Sequence, residues 1–469
     1  MLKNLNRTFA VILIIFSIIL ITQIYNRPVD RDEGFWIGSA HLLNRGYELY
    51  RDIPLPHTPL TTLLYALLFK VTGTSLIAGR FLSVALAITS LTILYLLIRT
   101  TNEASSLPLY IFSFSYLTIN WLSPVKVYSL TILLLIISIM FLILSINNKR
   151  LIFALLSGFF TGLVISSRII LIPIIIIPIY CFNRTNNRWN IYPFLSGLIA
   201  GIIPIIFYTL KYTDYLLFNV IGIHTTALSG YKSQMTRFSI VKEMALDPNS
   251  AIIVILAVIA IFRLFRRRTE MIEHISSLYV LVILIISIIP ISASLQYLVL
   301  LVPFTAISSN HLIHHLTASR KKSILITTVM LFFIITGLVR PLGRVAMNYY
   351  AKPMVGISEI VKVQDFTDEY VDEDDVVATW WSGYVTSGIP HPDLLLGEFS
   401  RRISDLLTEE ERTKYHLPSH EEQCQIILNQ KPQWVILGID SPDKIKVLIK
   451  DDYYLFKEIG EVEIYAVHD

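Results

Sequence analysis

The sequence predicts a mainly α, polytopic membrane helical bundle of about eleven spans, N-terminus inside, with a small C-terminal α/β domain outside the membrane. Three observations predict it. Of the 469 residues, 54% are hydrophobic and only 16% are charged, with a mean hydropathy of +0.60; an ordinary soluble domain is about 25% charged. Charge is divided along the chain: residues 1–340 hold 27 Lys+Arg against 11 Asp+Glu, whereas residues 341–469 hold 12 against 24. The basic residues of the first part fall in short clusters between apolar runs, where membrane topology places them. This composition excludes disorder and argues against a single soluble globule, and the basic clusters do not suggest nucleic acid. Cys181 and Cys424 form neither a disulfide framework nor a Cys-rich metal site.

Apolar runs occur near 9–24, 76–98, 105–121, 127–146, 151–166, 168–182, 190–210, 250–265, 275–291, 295–308 and 323–339. A span needs about 20 residues, so the shorter runs are the weaker ones. The first run follows Lys3 and Arg7 and has no small-residue cleavage site, so it reads as an uncleaved first helix. With the N-terminus inside, every inner loop is basic. They carry Arg99, Lys149 with Arg150, Arg184 with Arg188, Arg266 to Arg268, and Arg320 to Lys322. Two outer loops are long, about 25–75 and 211–249. In the first, Glu33 to Asn44 suits an amphipathic helix lying at the membrane surface, and Pro59 to Val71 a second surface or re-entrant helix. The domains are thus 1–340, transmembrane, and 341–469, extracytoplasmic α/β. In the latter, Val376 to Trp380, Trp434 to Leu437 and Tyr454 to Val467 read as strands, and Glu421 to Asn429 and Asp443 to Lys450 as helices.

None of the eleven carboxylates of residues 1–340 falls inside a span. Asp30, Asp32, Glu33, Glu48 and Asp52 gather in the first outer loop. An ion-coupled transporter keeps ionisable groups within the membrane; here acid chemistry sits at its outer surface. Asp30-Arg31-Asp32-Glu33 either caps the helix that follows, or supplies a general base, or offers Asp30 and Asp32 as a metal ligand pair. In the second loop, His224, Tyr231 and Lys232 combine groups that bind phosphate or sugar with those of an ordinary amphipathic loop. Trp380 and Trp381 can stack on sugars or pack their own domain. No Walker element or phosphate-cradling Gly-rich loop occurs, so direct use of a nucleotide is not supported.

The run D-E-G-F-W-I-G-S-A-H-L-L-N-R-G-Y-E-L-Y-R-D, then H-T-P-L, then G-T-S-L-I-A-G-R-F-L-S, within residues 30–83, resembles the GT-C glycosyltransferases of family 39. That group includes protein O-mannosyltransferases and lipid A aminoarabinose transferases. Gly162 to Arg168 and Gln296-Tyr297 to Pro303 are weaker echoes. The resemblance implies a sugar taken from a polyprenyl-phosphate carrier (dolichyl phosphate in an archaeal source) on the outer face of the cell membrane. The acceptor would be a hydroxyl of a protein, lipid or glycan. It implies Asp32 as general base, with inversion, and Glu33 orienting the acceptor or Asp32. It implies Arg80 and Arg168 as cations for the carrier phosphate, the alternative being interfacial snorkelling, with His57 at the element that faces the phosphate and Gln296 and Tyr297 in a weaker echo as substrate-binding residues. Read from their own chemistry, Lys126 is a phosphate clamp or a surface lysine, and Asp30, His224, Tyr231 and Lys232 are candidates for binding substrate. No cofactor is required and a divalent cation is optional. The sequence departs from the family twice: His57 stands where a lysine is usual, and Ser123 to Tyr128 lacks the acid many relatives carry. Two rival readings are a flippase for lipid-linked glycans and a noncatalytic assembly factor with the same fold.

Overall fold

The computed structural model describes residues 2–100, 105–230, 242, 246–265, 270–288, 295–310, 320–350 and 356–468. The first half runs through α1 (Leu2–Asn26), α2 (Arg31–Asn44), α3 (Leu60–Thr72), α4 (Leu76–Ile98), α5 (Leu107–Phe114), α6 (Tyr116–Trp121), α7 (Tyr128–Asn148) and α8 (Leu151–Ser167). Among the described residues, four helices are long and apolar enough to cross a membrane: Leu5–Asn26, α4, α7 and Ile324–Gly343. Arg188–Gly201 and Ile203–Lys211 form a fifth if taken as one span bent by 52°. Pro204 opens the second arm of that bend, where its ring and missing N–H interrupt the ladder.

Of the about eleven spans expected, the shorter runs appear among the described residues as apolar helices of 10–17 residues, Leu151–Ser167, Ile169–Arg184, Pro248–Arg263, Met271–Ser287 and Leu295–Ser308 among them. Several apolar runs are broken. The run 105–121 divides at Ser115 into α5 and α6. The run 168–182 begins as a 3₁₀ turn, Ile169–Ile175, which contains Pro173. Backbone groups freed by such breaks need partners in an apolar surround. At Ser115 the partner is Asn249: its Oδ1 accepts from the Tyr116 N–H at 2.7 Å, and its Nδ2 donates to the Phe114 and Phe333 carbonyls at 3.2 and 2.8 Å.

Small residues set a close helix contact. Gly158 and Gly162 on α8 face Gly197 and Gly201 on the helix Ile191–Gly201. A Cβ on Gly158 would lie 1.9 Å from the Phe194 carbonyl oxygen, and one on Gly197 2.0 Å from that of Leu155. Both helices carry the Gly-x-x-x-Gly spacing that lets backbones meet in membranes. Ser138 of α7 bonds Thr161 of α8 at 2.7 Å and accepts from Ser157 at 3.0 Å, tying the next helix in.

The C-terminal part is a five-stranded sheet of order β2-β1-β3-β5-β4. β1 (Val376–Thr379) pairs in parallel with β2 (Ile389–Pro390) and β3 (Trp434–Leu437). β5 (Val462–Val467) runs antiparallel to both β3 and β4 (Tyr453–Ile459). The stretch read as one strand from Tyr454 is thus a hairpin turning at Gly460, whose φ is +62°. Helices Ile357–Tyr370 and His420–Gln430 accompany the sheet.

α2 does not show the exposed face expected of an amphipathic helix. Every residue from Glu33 to Leu42 is buried, because the C-terminal part lies against it. A Cβ on Gly34 would meet the Trp381 ring at 2.6 Å, and one on Gly38 would meet Ser382 at 2.4 Å. His41 fixes the same contact, with Nδ1 bonded to Thr74 Oγ1 at 2.7 Å and Nε2 to the Gly388 carbonyl at 2.8 Å.

Candidate active site

The site begins at the N-terminus of α2. Asp30 caps the helix: its carboxylate accepts from the Asp32 N–H at 3.1 Å, and its own N–H donates to Glu33 Oε2 at 2.9 Å. This reciprocal pair is a capping box. Glu33 then points inward. Arg80 Nε and Nη2 grip its two oxygens at 2.8 and 2.6 Å, and the Val125 N–H reaches Oε1 at 2.9 Å. Arg80 Nη1 donates to the carbonyls of Ile24 and Arg27 at 2.9 and 3.0 Å. Both side chains are 0% exposed. Burial alone would push the Glu33 carboxyl up, but the Arg80 guanidinium overrides it and holds it below its usual range.

Asp32 faces the other way and is 57% exposed. Lys126, only 4% exposed, donates to Asp32 Oδ2 and Asp30 Oδ1, each at 2.8 Å, and to Gln296 Oε1 at 3.0 Å. Its ammonium also sits 4.9 Å from the centre of the Trp121 ring. Burial works against the charge on Lys126, and the two aspartates more than restore it, so its pKa lies above the usual value. Asp30 is likewise pushed up by burial and pulled below the usual range by Lys126 and Arg27. Among the described residues, Asp32 Oδ1 has no hydrogen bond.

Asp32 lines a cavity of about 320 Å³. Arg31, Asp32 and Phe35 of α2 form one wall, His57, His224, Gln296 and Tyr297 another. The roof comes from the C-terminal part: Trp380, Trp381, Leu395, Leu396, Glu398, Phe399, Arg402 and Asp440. Arg31 pins roof to wall, pairing with Glu398 and, through Nε, with Asp440 Oδ1 at 3.1 Å. His57 stacks on Trp36 with ring centres 4.9 Å apart. The Tyr50 hydroxyl holds its carbonyl at 2.9 Å. Burial, reinforced by His224, Arg168 and Lys126, keeps the His57 imidazole well below its usual pKa and therefore neutral at pH 7. Behind Tyr297 stands Arg168, its guanidinium 4.4 Å from the Tyr297 ring and 5.0 Å from that of Tyr128. No carboxylate pairs with Arg168 among the described residues.

No family model matches the chain, and no curated protein matches it. Solved structures do. ArnT from Cupriavidus metallidurans bound to undecaprenyl phosphate superposes with a TM-score of 0.67 at 10% identity, over 98% of this chain and 97% of that one. The chain has the ArnT fold. ArnT from the same organism in the apo state gives a TM-score of 0.67 at 9% identity, over 97% of each chain. An S. cerevisiae protein O-mannosyltransferase complex, Pmt1-Pmt2, bound to the sugar donor, aligns with 45% of this chain and 34% of that one, at a TM-score of 0.38 and 14% identity.

The ArnT fold spans the helical bundle and the sheet alike, as the resemblance of residues 30–83 implied, and makes this a multi-pass membrane protein. Within it, Asp32, His57, His224, Gln296 and Tyr297 meet at one cavity, and Arg168 lies directly behind. Tyr231 and Lys232 lie outside the described residues. Four expectations are corrected. Arg80 does not reach for a carrier phosphate: its guanidinium is enclosed and given to Glu33 and two carbonyls. Glu33 does not touch an acceptor, because it is sealed behind α2. Lys126 does not stand free as a phosphate clamp, since its three N–H bonds go to Asp30, Asp32 and Gln296. Asp30 serves the cap and Lys126 and does not line the cavity. The roof residues Glu398, Phe399, Arg402 and Asp440 had no signal in the sequence beyond ordinary surface polarity. Trp380 and Trp381 had one in their pairing.

Proposed function

We propose that this chain is a membrane glycosyltransferase that moves a sugar from a polyprenyl-phosphate donor to an acceptor hydroxyl on the outer face of the cell membrane, with inversion and with Asp32 as general base. One observation carries the reading. Of the acids gathered at the start of α2, Asp32 alone opens onto the cavity, with Oδ2 held by Lys126 and Oδ1 free to accept a proton. The chemistry balances without a further reactant. The acceptor oxygen bonds to the anomeric carbon as its proton passes to Asp32, and the carbon–oxygen bond to the carrier breaks with its electron pair leaving on the phosphate.

The rest of the cavity supports this assignment. A phosphate leaving group needs positive charge nearby, and Arg168, with no acidic partner among the described residues, stands beside Tyr297. Neutral His57 can donate one hydrogen bond to a phosphate oxygen. Trp380, Trp381 and Phe35 add apolar side chains to the cavity lining, which suits a sugar ring. The likeness to ArnT holding undecaprenyl phosphate fits a polyprenyl carrier. The C-terminal part, on this reading, lies outside the membrane as a lid of the site; the acceptor is a glycan, lipid or protein hydroxyl.

The test is sugar transfer from radiolabelled polyprenyl-phosphate sugars in membranes containing wild type or Asp32→Asn at matched expression. A general base contributes about 10²–10⁴-fold, so Asp32→Asn is expected to lose at least about a hundredfold. Equal transfer by both proteins would remove Asp32 from the mechanism.

A further inference from the structure

Asp30 and Asp32, two residues apart on one helix cap, are spaced like a pair of metal ligands. The structure shows what stands between them. Lys126 Nζ lies 2.8 Å from an oxygen of each carboxylate, at the place where a bridging divalent cation would bond to the same oxygens at about 2.0–2.6 Å. We propose that the Lys126 ammonium is a built-in replacement for that cation, so that the Asp30–Asp32 pair works without a metal and Lys126 positions Asp32. The positioning half of this proposal rests on Asp32 being the base; the metal-excluding half does not.

The geometry supports both halves. An ammonium has three donors, and all three are used: Asp30, Asp32 and Gln296. Trp121 closes a further side at 4.9 Å. Lys126 is therefore fixed and holds Asp32 by Oδ2, which leaves Oδ1 without a hydrogen bond on a residue that lines the cavity. Lys126 has little room to swing out and admit a metal, being 4% exposed. Nor do other ligands compensate: among the described residues no three His, Cys, Asp or Glu side chains are arranged to hold a metal ion.

Charge gives the chemical consequence. Two carboxylates and a divalent cation sum to zero. Two carboxylates and one ammonium keep a net negative charge, so the pair retains more affinity for a proton than a metal-bound pair would. An ammonium thus gives Asp32 the orientation a metal would give, at less cost to its basicity. Lys126 donates no proton to the reaction; its role passes through Asp32.

The experiment uses the full-length protein in nanodiscs, with Mn²⁺ as probe, read by electron paramagnetic resonance. Wild type is expected to bind no Mn²⁺ through Asp30 and Asp32 at millimolar metal. Lys126→Met is expected to gain a Mn²⁺ site that Lys126→Met/Asp32→Asn loses again. Lys126→Arg keeps a cation in place and gains none. In the transfer assay, wild type is expected to be insensitive to EDTA. Lys126→Met should lose about a hundredfold in kcat, with partial recovery on adding Mn²⁺, and Lys126→Arg should fall less. A Mn²⁺ site in wild type that disappears in Asp32→Asn overturns the proposal, as does a folded Lys126→Met that gains no site. If Lys126→Met does not fold, the comparison of wild type with Asp32→Asn still decides the metal question. Should Asp32→Asn keep full transfer, the base assignment fails while the Mn²⁺ result still stands or falls on its own.

Discussion

Three neighbouring acids, Asp30, Asp32 and Glu33, have three different fates, and each is decided by a cation from elsewhere in the chain. Glu33 meets Arg80, 47 residues on, and Asp32 meets Lys126, 94 residues on. The consequence for Glu33 is testable. Glu33→Gln leaves the Arg80 guanidinium buried without a countercharge, and breaking such a pair costs about 3–5 kcal/mol. Thermal unfolding in detergent should show a large loss of stability for Glu33→Gln and little for the exposed Asp32→Asn. If Glu33→Gln melts like wild type but is inactive, Glu33 belongs to the chemistry and not to the scaffold. Sequence alone located this cluster, because acids beside a run of apolar residues are conspicuous. It could not rank them. Capping, ion pairing and exposure depend on which cation each acid reaches, and no local pattern encodes a partner 94 residues away. The same limit explains why Lys126 and Arg80 were read as phosphate ligands: a basic residue near the outer end of a span looks alike whether it faces a cavity or a buried carboxylate.

At the scale of elements, apolar runs were legible and their interruptions were not. The run from 105 to 121 has no proline at its break. It divides because Asn249, 133 residues further on, supplies the hydrogen bonds that the Tyr116 N–H and the Phe114 carbonyl would otherwise lack. Replacing Asn249 by Leu removes those partners in an apolar surround. Each orphaned group costs about 1–3 kcal/mol, so Asn249→Leu should lower the unfolding midpoint markedly, whereas Asn249→Gln should recover part of the loss. An unchanged midpoint in the Leu variant would mean that water or another side chain serves the break. The glycine contact between α8 and Ile191–Gly201 makes a sharper demand. A side chain at Gly158 or Gly197 meets a carbonyl oxygen at about 2 Å, and backbone cannot swing aside as a side chain can. Overpacking of this kind costs about 1–3 kcal/mol or more. Gly197→Leu should therefore reduce the yield of folded protein, while Gly343→Leu, with no neighbour to strike, should not. The Gly-x-x-x-Gly spacing was present in the sequence as a readable sign of this contact. On α2 the same spacing, Gly34 to Gly38, marks where Trp381 and Ser382 press in, and they cover the face an amphipathic helix would leave exposed.

For the whole molecule, the charge division between the two parts becomes an interface. Arg31 pairs with Glu398 and Asp440, Arg45 with Glu373, and His416 bonds the Arg51 carbonyl at 3.0 Å while its Nδ1 lies 2.5 Å from Asp393. Burial lowers the His416 pKa, but the Asp393 carboxylate and the Arg51 carbonyl outweigh it and leave it above the usual 6.5; Asp52 adds to the rise. Asp393, pushed up by burial, is brought below its usual 3.8 by His416 and His391. A raised histidine contributes stability that is complete below its unfolded value and is lost as pH rises through its folded one. A depressed aspartate contributes above its unfolded value and loses it as pH falls through its folded one. The pair is thus strongest in mildly acid solution. Comparing unfolding midpoints of wild type and His416→Gln from about pH 5 to about pH 9, the gap should be largest at the acid end and shrink toward the alkaline end. A gap that stays constant would mean that His416 acts by packing alone. The sheet itself was largely legible, with β3 and the helix His420–Gln430 close to the expected bounds, but its place above the site was not, since strand patterns say nothing of what a domain rests on.

The contact between Arg31 and Glu398 joins residues 367 positions apart. On a ribosome adding about 5–20 residues per second, the second arrives roughly 20–70 s after the first. For most of that interval α2 and Arg80 are both made and the roof residues are not. Asp32 is therefore made long before the residues that cover its cavity, and only the closing stretch of translation encloses it.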